Sequence, residues 1–133
     1  MAQRIFVIED DRFMRDAVDL ILSQAGYHFT GVGSGEEALD LVSRSMPDLI
    51  LLDIGLPGIG GLKVLSALRR RGVVVPILMM TANANPSTVR DVMEMGGSGY
   101  VLKPFNPREL VQRVGAALAP AGLKRTVRAL RVA

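Results

Sequence analysis

The chain has 133 residues, no cysteine and a formal charge of +3, which gives one domain with its own core and excludes a disulfide framework, a thiolate metal site and a second domain of ordinary size. Four cations, Lys124, Arg125, Arg128 and Arg131, stand in the last 14 residues without an acid, so residues 1–119 come to −1 and the basic balance belongs to the tail. The first apolar run meets acids too soon for a signal peptide and no stretch approaches the roughly 20 apolar residues of a membrane span, so the expected location is cytoplasmic.

Apolar blocks of strand character alternate five times with segments of helical periodicity, which predicts a parallel sheet wrapped by helices. The first strand is Ile5–Ile8, a continuous apolar run suited to burial on both faces. A helix follows with Met14, Val18, Ile21, Leu22 and Ala25 on one face, stopped by Gly26. The second strand spans Tyr27–Val32 and carries the only histidine, His28, as an edge residue. Ser34, with Glu37 three residues on, opens the second helix in a capping-box arrangement, with Ala38, Leu39 and Val42 inward.

Leu49–Leu52 is the third strand, and the next helix presents Leu62, Leu65 and Leu68 before Arg69-Arg70-Arg71-Gly72. That arginine run reads as a solvated helix end complementing the helix dipole. Val75–Met80 is the fourth strand, followed by a weaker helix at about Ser87–Met95 with Val89, Val92 and Met93 inward. Tyr100–Leu102 is the fifth strand. The fifth helix starts at Asn106-Pro107-Arg108-Glu109, with a cap, a first-turn proline and an acid, and runs through Leu110, Val111, Val114 and Leu118 to Pro120. The seven methionines read mostly as core filling. Residues 1–119 form the expected domain and residues 120–133 a basic tail or short extra helix, with Leu123, Val127 and Leu130 at helical spacing; it is too short for a DNA-binding module.

In an open parallel sheet, ligands bind outside the carboxyl ends of the strands. Glu9-Asp10-Asp11 follows the first strand, Asp53 ends the third, Thr81 the fourth and Lys103 the fifth. Carboxylates gathered there repel one another unless protonated or bridged by a cation, and oxygen donors without histidine or cysteine favour Mg²⁺, with Mn²⁺ as the alternative. A metal held by few protein oxygens leaves positions for phosphate oxygens. Asp53 is then a nucleophile toward phosphorus, Lys103 a second positive charge and the Thr81 hydroxyl a hydrogen-bond donor.

The ordered set Val7-Ile8-Glu9-Asp10-Asp11, Asp48-Leu49-Ile50-Leu51-Leu52-Asp53, Leu56-Pro57-Gly58, Met80-Thr81-Ala82 and Gly99-Tyr100-Val101-Leu102-Lys103-Pro104-Phe105 resembles the receiver domain of bacterial two-component response regulators, in its stand-alone form, over residues 4–119. The resemblance implies a doubly wound (βα)5, flavodoxin-like sandwich of strand order 2-1-3-4-5. It implies a signalling phosphoprotein, not an enzyme, that takes a phosphoryl group on Asp53 from a histidine kinase or phosphotransfer protein. Asp10, Asp53 and the Gly55 carbonyl are the implied Mg²⁺ ligands, with Glu9 acting through water, Asp11 starting the first helix, and a cis peptide before Pro104. Thr81 and Tyr100 are the implied switch, and the fourth helix, fifth strand and fifth helix the implied readout surface, through which a second copy can pair.

Three positions depart from the family pattern. Gly60 replaces a polar residue, Gly55 brings no side chain to the second position after Asp53, and Asn83, next to Ala82, can orient water; together they predict a short-lived phosphoryl group. Two other readings remain open from the residues. An aspartate-nucleophile phosphohydrolase shares the carboxylate, metal, threonine and lysine, but its second aspartate is here Gly55. A flavodoxin-type small-molecule binder shares the strand order, but wants a phosphate loop where this chain has acids.

Overall fold

Three strands that are apolar at nearly every position need cover on both faces, and the fold supplies it. A computed structural model describes residues 2–119, so the tail expected at 120–133 lies outside the described residues. The elements are β1 (Arg4–Ile8), α1 (Arg12–Gln24), β2 (His28–Val32), α2 (Gly35–Arg44), β3 (Leu49–Asp53), α3 (Gly61–Arg70), β4 (Ile77–Thr81), α4 (Pro86–Glu94), β5 (Gly99–Leu102) and α5 (Pro107–Leu118). All strands pair in parallel in the order β2-β1-β3-β4-β5, which leaves the exposed His28 on an edge strand as expected. Among the described residues no helix is long and apolar enough to cross a membrane.

Alternation of side chains divides the core in two. Phe6, Ile8, Ile50, Leu52, Ile77 and Met79 face α2, α3 and α4, where Ala38, Val64, Leu65, Leu68 and Val92 meet them. Ile5, Val7, Leu49, Leu51, Leu78 and Met80 face α1 and α5 and pack on Val18, Leu22, Leu110 and Val114. The helix starts follow from capping chemistry. Asp11 accepts from the N–H groups of Phe13 and Met14, Ser34 from Glu37, Asn85 from Thr88 and Asn106 from Glu109. The Ser34 box differs in one half: the Glu37 carboxylate accepts from the Ser34 hydroxyl at 3.2 Å.

Five expectations are corrected. Met93 is 54% exposed, because α4 touches the sheet mainly through Val92. Ala25 is exposed at the end of α1. Met79 and Met80 fill the core, whereas Met46 and Met95 join Met93 at the surface. The fourth strand begins at Ile77 rather than Val75: Pro76 has no N–H, and the Val75 carbonyl is taken by Arg69. That same Arg69 is no solvated helix end, since its guanidinium donates to the carbonyls of Val73, Val75 and Gly96 at 2.8 to 2.9 Å.

The β3–α3 loop folds back so tightly that a Cβ at Gly61 would collide with the Asp53 carbonyl oxygen and lie 2.7 Å from the Ile54 Cα. Both obstacles are backbone at the end of β3, so neither can rotate away. Gly61→Ala is expected to cost about 3 kcal/mol of stability, the upper range for overpacking. Urea unfolding measures it; a loss below ~0.5 kcal/mol, the ordinary surface value, contradicts the tight approach.

Candidate phosphoryl and metal site

The strand register sets the site. Ile8 pairs with Leu52 and Asp53 with Met80, so Glu9 and Asp53 emerge side by side just past the β1–β3 ladder. Thr81 pairs with Leu102, and the Lys103 N–H continues that ladder to the Thr81 carbonyl at 2.7 Å. Four neighbouring strands thus deliver Glu9-Asp10, Asp53, Thr81 and Lys103 to one carboxyl edge. The Lys103–Pro104 bond is cis, as expected.

At that edge the Lys103 ammonium contacts Glu9 Oε1 at 2.6 Å and Asp53 Oδ1 at 3.2 Å. Glu9 is 1% exposed and Asp53 6%, while Asp10 is open to solvent. One carboxylate oxygen from each of Glu9, Asp10 and Asp53 falls within 4.8 Å of the others. Hard oxygen donors at that spacing, with solvent on the Asp10 side, fit a divalent ion that retains some water, which is the habit of Mg²⁺. The donor set therefore accepts the expected cofactor.

The electrostatics reflect an excess of negative charge. Burial raises the Glu9 pKa, the neighbouring Asp53 raises it further, and the bonds from Lys103 and the Asp11 N–H only partly oppose this. Burial pulls the Lys103 ammonium downward, but hydrogen bonding and charge from Glu9 and Asp53 prevail, and its pKa is raised. Lys103 is thus a fixed cation, and Glu9 holds a proton more readily than an ordinary glutamate does.

The remaining expected residues divide. Asp11 turns away to cap α1, donating its N–H to Glu9 Oε2 at 3.2 Å. Gly55 contributes its N–H to Asp53 Oδ1 at 3.1 Å, and a Cβ there would stand only 3.7 Å from that oxygen, so the residue two after Asp53 adds no side chain to its cover. Thr81 is 6% exposed, and its hydroxyl is engaged with its own loop: it donates to the Asn83 carbonyl at 2.8 Å and accepts from the Asn83 N–H at 3.0 Å. The Asn83 side chain accepts from the Asn85 N–H at 3.0 Å and so braces the loop. Tyr100 is half-buried against the α2–α3–α4 core, with the Arg113 guanidinium 5.8 Å from its ring centre.

Three contributors were not singled out from sequence. Arg15 donates to the Glu9 carbonyl at 2.8 Å and steadies the β1–α1 turn from below. Gly61 permits the turn after Asp53, and Asn85 caps α4. A helix-start signal marks Asn85-Pro86, whereas no local pattern announces Arg15, whose partner lies on the preceding turn of chain.

Fold and site together define an α/β regulatory domain with a lysine-bridged, metal-accepting acidic pocket at the carboxyl edge of its sheet. The family model described as "Response regulator receiver domain" matches residues 5–115. The "DNA-binding response regulator MtrA" of Mycolicibacterium smegmatis is 42% identical over 118 residues, covering 89% of this chain and 51% of the relative. The "Alkaline phosphatase synthesis transcriptional regulatory protein SphR" of Synechococcus elongatus is 39% identical over 126 residues, covering 88% and 49%. The chain spans about half the length of these curated relatives. Among solved structures, the chemotaxis response regulator CheY4 of Vibrio cholerae superposes with a TM-score of 0.84 at 27% identity, covering 88% of this chain and 99% of that one. A CheY-like response regulator receiver domain protein from Methanospirillum hungatei gives 0.83 at 26%, covering 89% and 94%. The chain belongs to the response regulator receiver domain family, whose phosphorylation and Mg²⁺ site the Glu9–Asp10–Asp53 cluster and Lys103 reproduce.

The raised Glu9 pKa sets a pH dependence. The proton on Glu9 favours the folded chain below the unfolded value of 4.5, and that contribution is lost as pH rises through the folded value. Metal needs the opposite, a charged carboxylate. The gain in melting temperature from Mg²⁺ is therefore expected to shrink on acidification, beginning above pH 4.5. Thermal melts with and without Mg²⁺ test this, and a constant gain from pH 7 down to that value contradicts it.

Proposed function

We propose that this protein is a cytoplasmic, phosphorylation-dependent signalling switch in which Asp53 accepts a phosphoryl group from a phosphohistidine on a sensor kinase or phosphotransfer protein. The observation that carries the reading is Lys103 held between Glu9 and Asp53, next to a carboxylate cluster of metal-binding spacing. Lys103 and the Gly55 N–H both address Asp53 Oδ1, which leaves Oδ2 as the oxygen that attacks phosphorus. The new P–O bond forms as the donor's P–N bond breaks, and the electron pair returns to the imidazole ring nitrogen. Asp10, Asp53 and the Gly55 carbonyl would hold Mg²⁺, with Glu9 acting through water, and the bound ion would supply positive charge against the transferring group.

Lys103 supplies the second cation. The Thr81 hydroxyl, only one strand away, exchanges its loop partner for a phosphoryl oxygen. Tyr100, on β5 just ahead of Lys103 and half-buried, is the ring that turns inward when Thr81 withdraws. The readout surface is α4, β5 and α5, available to a downstream protein or to a second copy. A differential interaction of a few kcal/mol suffices to move such a two-state equilibrium by one or two orders of magnitude.

Intact mass after incubation with acetyl phosphate or phosphoramidate and Mg²⁺ tests the reading. The wild type is expected to gain one phosphoryl group and Asp53→Ala none; equal labelling of both would overturn the assignment. The lack of a side chain at Gly55 beside Asp53 also predicts a short-lived phosphoprotein. Hydrolysis complete within an hour is expected, on the order of tenfold slower in Gly55→Arg, where a side chain covers the acyl phosphate; a tenfold rate change corresponds to about 1.4 kcal/mol of barrier. A phosphoprotein stable for many hours, and shortened by Gly55→Arg, contradicts it.

A further inference from the structure

Arg15 is half-buried on α1, and among the described residues its guanidinium pairs with no acid. Its Nη1 instead donates to the Glu9 carbonyl at 2.8 Å. The Glu9 N–H is taken as well, donating to the Val32 carbonyl at 3.0 Å. Both backbone polar groups of Glu9 are therefore held, one by the end of β2 and one by a side chain of α1.

The path of that side chain is left open by two glycines. Phe29 and Gly31 alternate onto one face of β2, and Gly33 follows just past its end. A Cβ at Gly31 would stand 2.7 Å from the Phe29 Cζ and 3.0 Å from the Arg15 Cδ, and one at Gly33 would stand 3.2 Å from the Arg15 Nη1. The arginine stem thus passes beside the Phe29 ring where Gly31 has no side chain, and the guanidinium ends against Gly33. Neither glycine has a positive φ, so backbone conformation does not call for glycine at either place. What the two positions share is the space that Arg15 fills.

The carbonyl held by Arg15 belongs to the peptide that joins Glu9 to Asp10. That unit is planar and stiff, so turning it redirects the side chains on both of its sides. They are two of the three carboxylates whose oxygens lie within 4.8 Å of one another. We infer that Arg15 is a positioning residue for the metal site, seated by Gly31 and Gly33, which pins the Glu9–Asp10 peptide and so aims both carboxylates toward Asp53. The inference rests on the reading of this cluster as the metal-accepting site of a phosphoryl acceptor; the pin itself belongs to the metal-free chain. Charge and position predict opposite signs here. A cation near the site repels a divalent ion, so loss of the Arg15 charge alone would tighten Mg²⁺ binding. Loss of a group that orients metal ligands weakens binding, by roughly 10- to 100-fold.

The full, unphosphorylated chain supplies the test. Without metal, the Glu9 carbonyl ¹³C and Asp10 amide ¹⁵N resonances, the two halves of the pinned peptide, are expected to shift in both Arg15→Met and Gly33→Ala. Isothermal titration with Mg²⁺ is then expected to show about tenfold weaker binding in Arg15→Met, the low end for an orienting partner because Arg15 acts through the backbone. Gly33→Ala alters no charge and displaces only the free end of a flexible side chain, so it is expected to weaken binding in the same direction. Added to Arg15→Met, it is expected to change nothing further, since the group it displaces is already gone. Unmoved Glu9 and Asp10 resonances, Mg²⁺ binding that is unchanged or tighter in Arg15→Met, or additive losses in the double variant overturn the positioning role. A wild type that takes up no Mg²⁺ defeats the reading of the site, while the resonances of the metal-free variants still decide whether Arg15 holds the peptide.

Discussion

Everything at the carboxyl edge depends on how a buried excess of negative charge is neutralised. Glu9 is 1% exposed and Asp53 6%, and the Asp53 charge adds to the burial cost of ionising Glu9. Removing a carboxylate from water costs several kcal/mol even after relaxation, and only paired charge and hydrogen bonds offset it. Lys103 supplies one positive charge between two acids, with Asp10 adding a third. The remaining imbalance is what makes a divalent ion welcome and a phosphoryl group, once that ion is present, a natural further ligand. A neutral or fully paired site would have no such demand.

The sheet makes this charge balance possible by a simple geometric device. Parallel strands all end at the same edge, so residues distant in sequence emerge level with one another when the register is in step. The pairing of Ile8 with Leu52, Asp53 with Met80 and Thr81 with Leu102 sets Glu9, Asp53 and Lys103 within contact. The apolar strands below hold that register because a slip of one residue would exchange the two core faces. Stability of the core and precision of the site are thus the same property.

Much of this was legible beforehand. The strand runs, the caps Ser34 and Asn106, the stop at Gly26 and the convergence of Glu9, Asp53, Thr81 and Lys103 on one edge all follow from local pattern and the rule for open sheets. Asp11 as a cap and the cis bond before Pro104 agree with the family resemblance. The errors have a common cause. Met93 lies on α4, and Ala25 and Met95 lie just past helix ends, where apolar periodicity continues beyond what the sheet can cover; Met46 sits in the α2–β3 loop, and periodicity alone does not state the width of the contact. Arg69 was misjudged for a related reason: its partners, Val73, Val75 and Gly96, are backbone carbonyls, which leave no mark on side-chain pattern.

By itself the sequence determined the order of strands and helices, the composition of the core and the identity of the acidic, hydroxyl and amine groups available to the site, because these depend on side-chain chemistry and local periodicity. Tertiary structure decided which oxygen of Asp53 is occupied by Lys103 and the Gly55 N–H, that Thr81 and Asn83 brace their own loop, and that Arg69 fastens one end of α4. Those are matters of direction and distance between segments far apart along the chain, and they are fixed only when close packing and hydrogen-bond satisfaction act on all the segments together.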